Sequence, residues 1–144
     1  MHPKRLIGLG LIALFALAAV PAFAQDEGED KALALFIARP QILVRTLHLT
    51  QAQITSLNTL VTATRTAIRP LRADIQSLNQ QIHAALNGGN PDACAVGALV
   101  VSRHEKYEAI EALLQQFDDD FSATLTPAQL ATYEVLKDRA RHPR

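Results

Sequence analysis

ITSLNTLVTATRTAIRPLRADIQSLNQQIHAALN, spanning Ile54 to Asn87, is the stretch that decides the fold. Its apolar residues fall at Ile54, Leu57, Val61, Ile68, Leu71, Ile75, Leu78, Ile82 and Ala85, in steps of three and four, with Thr64 filling the one missing step. That spacing draws a stripe along one side of an α-helix, the seam of a helix packed lengthwise on another. Pro70 lies inside the run and removes one backbone donor, which predicts a bend over Thr66 to Arg69. The stripe keeps its phase across Pro70, so the spacing predicts one bent helix rather than two.

The sequence that follows supplies the other helix. Asn87-Gly88-Gly89-Asn90-Pro91 reads as a stop and a restart, with Gly88 expected in the left-handed conformation, Asn90 as the next cap and Pro91 at the first helical position. A second seam runs through Ala93, Val96, Val100, Arg103, Tyr107, Ile110, Leu114, Phe117 and Phe121, with Arg103 its one polar member. Two seams and a short connector predict an all-α fold built on a long bent antiparallel helical hairpin. Shorter helices flank it: Lys31 to Arg39 and Gln41 to His48 before it, and Pro127 to about Arg141 after it.

Both flanks carry the same five-residue frame. Leu49-Thr50-x-x-Gln53 and Leu125-Thr126-x-x-Gln129 each read as a helix start. The threonine hydroxyl accepts from the glutamine backbone N–H, and the glutamine side chain returns to the threonine N–H, a capping box. Leu49 with Ile54, and Leu125 with Leu130, stand where a hydrophobic staple forms.

The amino-terminal end reads as an export signal occupying 1–24. Lys4 and Arg5 precede an apolar run from Leu6 to Val20, and Ala22-Phe23-Ala24 gives a small-x-small cleavage pattern. The run is shorter than the roughly 20 residues a spanning helix uses. Residues 25–30 (QDEGED) are acidic and expected to be disordered, leaving 31–144 as one helical domain. The chain holds 14 basic and 14 acidic residues, and losing Lys4 and Arg5 tips the remainder acidic, which excludes a nucleic-acid binder. One cysteine, Cys94, permits no internal disulfide. With no Trp, the core must come mainly from Leu, Ile, Val and Ala.

An export signal, two LTxxQ boxes and a long hairpin between them resemble the Spy/CpxP-type LTxxQ family over roughly 42–139; RPLRADIQSLNQQIHAALNGGNPDACAV is similar to that family's hairpin. The resemblance implies a periplasmic helical protein, often a curved homodimer. Some relatives are ATP-independent chaperones or envelope-stress regulators and others are metal-responsive sensors. It points to unfolded or misfolded envelope proteins as partners, with a membrane sensor kinase as a further one. It also implies a heavy-metal sensor or metal-binding resistance protein as the alternative reading.

Few residues suggest chemistry. Arg65, Arg69 and Arg72 share one helix face. The resemblance makes them client-binding candidates, whereas hairpin geometry pairs Arg69 and Arg72 with Glu105 and Glu108. His104 and Glu108 stand one helical turn apart and could present two ligands to a divalent metal, the one cofactor the sequence suggests. Hairpin geometry keeps His83 too far from His104 to share a metal, and His48 and His142 lie in the flanking segments. Cys94 could pack near the connector or link two protomers. Asp118-Asp119-Asp120 reads as a solvated stretch without the spaced ligands of a calcium loop. No nucleophile-base pair or phosphate-binding glycine loop is present, so binding rather than catalysis is expected.

Overall fold

The computed structural model describes residues 27–142, with side chains from Lys31 onward. The expected export signal, 1–24, lies outside the described residues. Five helices follow in order: α1 (Glu27–Ala38), α2 (Gln41–Thr46), α3 (Gln51–Asn87), α4 (Ala93–Ser122) and α5 (Pro127–Arg141). Among the described residues there is no strand, and no helix is long and apolar enough to cross a membrane. The fold is the all-α hairpin with short flanking helices that the two seams predict. α1 begins at Glu27, so the last four residues of the acidic stretch expected to be disordered are helical.

α3 runs 37 residues through Pro70 without interruption. Its stripe buries Leu57, Val61, Thr64, Ile68, Ile75 and Ile82. α4 lies along it, and Leu114, Phe117 and Phe121 sink into a common core with Ala32, Leu33, Phe36, Ile37, Leu43 and Tyr133. α1 packs chiefly on α5 and closes that core from the side. Stacked Phe117 and Phe121, with Tyr133 edge-on to Phe121 at 5.3 Å and Phe36 at 5.8 Å from Tyr133, form its aromatic centre.

The connector departs from expectation. Gly89, not Gly88, takes the left-handed conformation (φ 79°), and α4 starts at Ala93. The cap is Asp92 rather than Asn90, its Oδ1 accepting from the N–H groups of Cys94 and Ala95 at 2.9 and 3.3 Å. A carboxylate accepts from two N–H groups and favours the positive end of the helix dipole, which explains why Asp92 displaces a neutral amide. The second seam is also only partly buried: Val100 and Tyr107 stay 38% and 45% exposed. There the hairpin is two helices thick, and a residue at the edge of the seam has cover from one side alone.

Candidate functional site

The two LTxxQ boxes form as expected. Thr50 Oγ1 accepts from Gln53 N–H and Gln53 Oε1 accepts from Thr50 N–H at 3.3 and 2.9 Å; Thr126 and Gln129 repeat this at 3.3 and 3.0 Å. Leu49 belongs to the core, and Ile54, Leu125 and Leu130 pack against it. What the sequence reading missed is that the boxes hold each other. Gln53 Nε2 donates to Gln129 Oε1 at 2.8 Å and to the Thr124 carbonyl at 2.9 Å. Gln129 Nε2 donates to Gln53 Oε1 at 3.2 Å and to the Leu47 carbonyl at 3.1 Å. Each glutamine thus closes its own cap and reaches into the chain just ahead of the other, a local two-fold arrangement. A signal for it was present: a capping box uses only the glutamine oxygen, so two partly buried amide NH₂ groups needed acceptors.

A second polar cluster ties α5 to α4. Asp118 is 6% and Lys137 4% exposed. Asp118 accepts from Tyr133 Oη at 2.7 Å and from Lys137 Nζ at 2.8 Å, and Glu134 pairs with Lys137 at 3.0 Å. Burial alone would pull the Lys137 pKa down, but hydrogen bonds to Asp118 and Glu134, and their charges, raise it above the usual lysine range. The solvated reading of Asp118-Asp119-Asp120 therefore fails at Asp118 and holds at Asp119 and Asp120, which are exposed. Helical spacing puts Asp118 one residue past the seam position Phe117, close enough to turn inward when Lys137 answers it.

The arginines divide by role. Arg65 reaches back to the end of α1, donating through Nε to the Ile37 carbonyl at 3.1 Å and through Nη2 to the carbonyls of Ile37 and of Ala38. It closes a helix carboxyl end whose carbonyls have no helical donor. Arg69 and Arg72 line a shallow groove with Arg65 and Ile68. They do not pair with Glu105 and Glu108. The hairpin register sets Lys106 against Asp74 (3.5 Å) and Arg103 against Asn79 (2.9 Å).

Beyond Ile68 the hairpin carries its exposed apolar residues: Leu86, Val100, Val101 and Tyr107. His104 Nε2 lies 3.3 Å from Glu108 Oε1, both side chains more than half exposed. His48, His83, His142 and Cys94 are exposed as well, and the structure brings none of them to that pair. Among the described residues, no group of three or more His, Cys, Asp or Glu could hold a metal ion. One copy therefore offers a cation two ligands, fewer than a bound divalent metal takes from protein.

A helical hairpin started and locked by paired LTxxQ boxes defines the class. The chain belongs to the heavy-metal resistance family, whose model matches residues 8–131, and that family has the Spy/CpxP-like LTxxQ fold. No curated protein and no solved structure matches it significantly.

Proposed function

We propose that this protein is an exported, ATP-independent accessory of heavy-metal resistance that shields partly unfolded envelope proteins along the outer half of its hairpin. One observation carries the reading: Leu86, Val100, Val101 and Tyr107 are exposed on the same hairpin half that begins with Arg69 and Arg72, which have no acidic partner among the described residues. Apolar side chains supply area-dependent attraction, and guanidinium groups hold carboxylates and backbone carbonyls of an extended client. In an aggregation assay without nucleotide, an excess of the protein lowers light scattering by a chemically unfolded client. Val101→Asp with Tyr107→Ser weakens that suppression at unchanged melting temperature. Scattering indifferent to the protein would exclude the reading.

A second reading, a metal-sensing or metal-binding accessory, is favoured by the family and by the His104–Glu108 pair. Titration calorimetry with zinc, copper and nickel tests it: binding in the micromolar range or tighter, lost in His104→Ala, supports it.

A further inference from the structure

The two-ligand pair has a neighbour on the outer face of α4. Cys94, Gly97, Val101, His104 and Glu108 recur at helical spacing, and all five are exposed. From Ala93 to Ser102 this helix carries no charge. A Cβ built at Gly97 would meet nothing within 4 Å, whereas Val101 projects at 58% exposure. The face is an open hollow at Gly97 and, a helical turn further on, a knob at Val101. Such a face is complementary to itself when a second copy lies antiparallel on it, with each Val101 seated over the other copy's Gly97.

That register has a chemical consequence. Within one chain Cys94 and His104 are separated by roughly 15 Å along the helix, too far to share a cation. Across the antiparallel pair they face each other, and a slip of one turn moves Cys94 only from His104 to Glu108. We infer that a second copy of this chain, packed antiparallel on the outer face of α4, completes a divalent-cation site in which Cys94 of one copy joins His104 and Glu108 of the other. The inference rests on the metal-binding reading above and supplies the ligand that a single copy lacks. Thiolate, imidazole and carboxylate suit a borderline d-block cation, with a fourth position left to water. The thiol proton passes to solvent on binding. Thiolate and carboxylate then balance a double positive charge, so the site adds no net charge to the interface. The two-fold repeats the site at the other end.

The face is small. Its charge-free run is about 15 Å long on a helix about 10 Å wide, giving on the order of 150 Å² per copy, against about 800 Å² per partner in a stable interface. Apolar contact through this face alone does not hold two copies together; two shared cations do. Association through it is therefore metal-dependent.

Cobalt(II), added to the reduced purified protein, is the probe. Its thiolate complexes absorb in the near ultraviolet, and sedimentation velocity reports association on the same samples. The expected result is a thiolate-to-cobalt band that grows together with a dimer. Cys94→Ser abolishes the band; His104→Ala and Glu108→Gln each raise the cobalt concentration required at least about tenfold. Mixing Cys94→Ser with His104→Ala restores part of the band at a cobalt concentration at which neither variant alone shows it, because a mixed dimer regains one of its two sites. All three residues are exposed, so these variants keep the fold. Cobalt bound without a thiolate band, a band in a monomer, or a mixture that restores nothing overturns the cross-copy site and leaves the metal-binding reading standing. A Cys94–Cys94 disulfide that forms on oxidation within the cobalt-bound dimer overturns the register, which separates the two sulfurs well beyond disulfide reach. No binding of cobalt or zinc at all removes both.

Discussion

Up to Ile68, α3 and α4 are two members of a five-helix base; beyond Pro70 the same two helices stand against little but each other. The base gathers Leu57, Val61, Ile68, Leu114, Phe117 and Phe121 into one cluster with α1, α2 and α5. The outer half buries Ile75 and Ile82 outside that cluster and leaves Val100, Val101 and Tyr107 exposed. The heptad-like spacing is as regular in one half as in the other. A seam thus specifies which side of a helix faces its mate, while burial depends on how many further elements cover the edges. Stability is concentrated in the base, and the hairpin's exposed apolar surface in the outer half.

The most forceful way to break that division is to open a cavity in each half. Phe121→Ala, at a fully buried ring, should cost about 3–5 kcal/mol; Ile82→Ala, with fewer neighbours to lose, should cost about 2 kcal/mol or less. Urea unfolding of the two variants checks this. Equal costs would mean that the outer half is as well packed as the base.

The buried Asp118–Lys137 pair comes next. Asp118→Ala takes the carboxylate 2.8 Å from a nearly buried ammonium and leaves the half-exposed Glu134 and the Tyr133 ring beside it, a loss of about 3 kcal/mol. Because the folded pKa of Lys137 is raised, the pair's contribution is fully present below the ordinary lysine range and lost as pH climbs through the folded value. The gap between wild type and Asp118→Ala should stay constant near neutrality and narrow only in strong alkali. A gap that closes between pH 5 and 8 would point to another titrating group.

Much of the base and the hairpin was legible because it follows from periodicity and capping. The seam of α3, both LTxxQ starts and the span of α5 need only local rules. The cluster at Asp118 was not legible, since it depends on α5 crossing α4 so that Lys137 reaches a carboxylate 19 positions earlier. The glutamine interlock likewise joins side chains 76 positions apart. Arg65 was assigned to the candidate surface from its helix face, yet the end of α1 takes it first; a free carbonyl terminus in space is invisible to a one-dimensional pattern. The exposed pair His104–Glu108 was legible because its geometry lies within one helical turn.

The interlock gives a sharper test of how the base is held. Gln53→Ala and Gln129→Ala should each cost about 1–2 kcal/mol, because each leaves partly buried carbonyls without a donor. The double variant should cost less than the sum, with a coupling of about 0.5 kcal/mol or more. Strict additivity would mean that each box acts only as a cap. Amide exchange in the outer half of the hairpin should change little in either variant, since its openings are local and the interlock lies in the base.

The smallest effect concerns one strained residue beside the interlock. His48 is the only non-glycine residue with positive φ among those described, at 50°. It stands where α2 ends: the Leu49 N–H returns to the Val44 carbonyl at 3.3 Å, the bond that closes a helix through a left-handed residue, a position glycine favours. The turn points the Leu47 carbonyl at Gln129 Nε2, so the strain is kept by the interlock it serves. His48→Gly relieves the backbone but gives the unfolded chain more freedom, and the two effects nearly offset, leaving a gain of a few tenths of a kcal/mol, about 1 at most. His48→Val, whose branched side chain resists this conformation, should lose about 1–2 kcal/mol. Client suppression normalised to folded protein should be unchanged in both. A His48→Gly variant that is more stable yet poorer at suppression would show that the base sets the shape of the outer half, and that the two regions are not as separable as their packing implies.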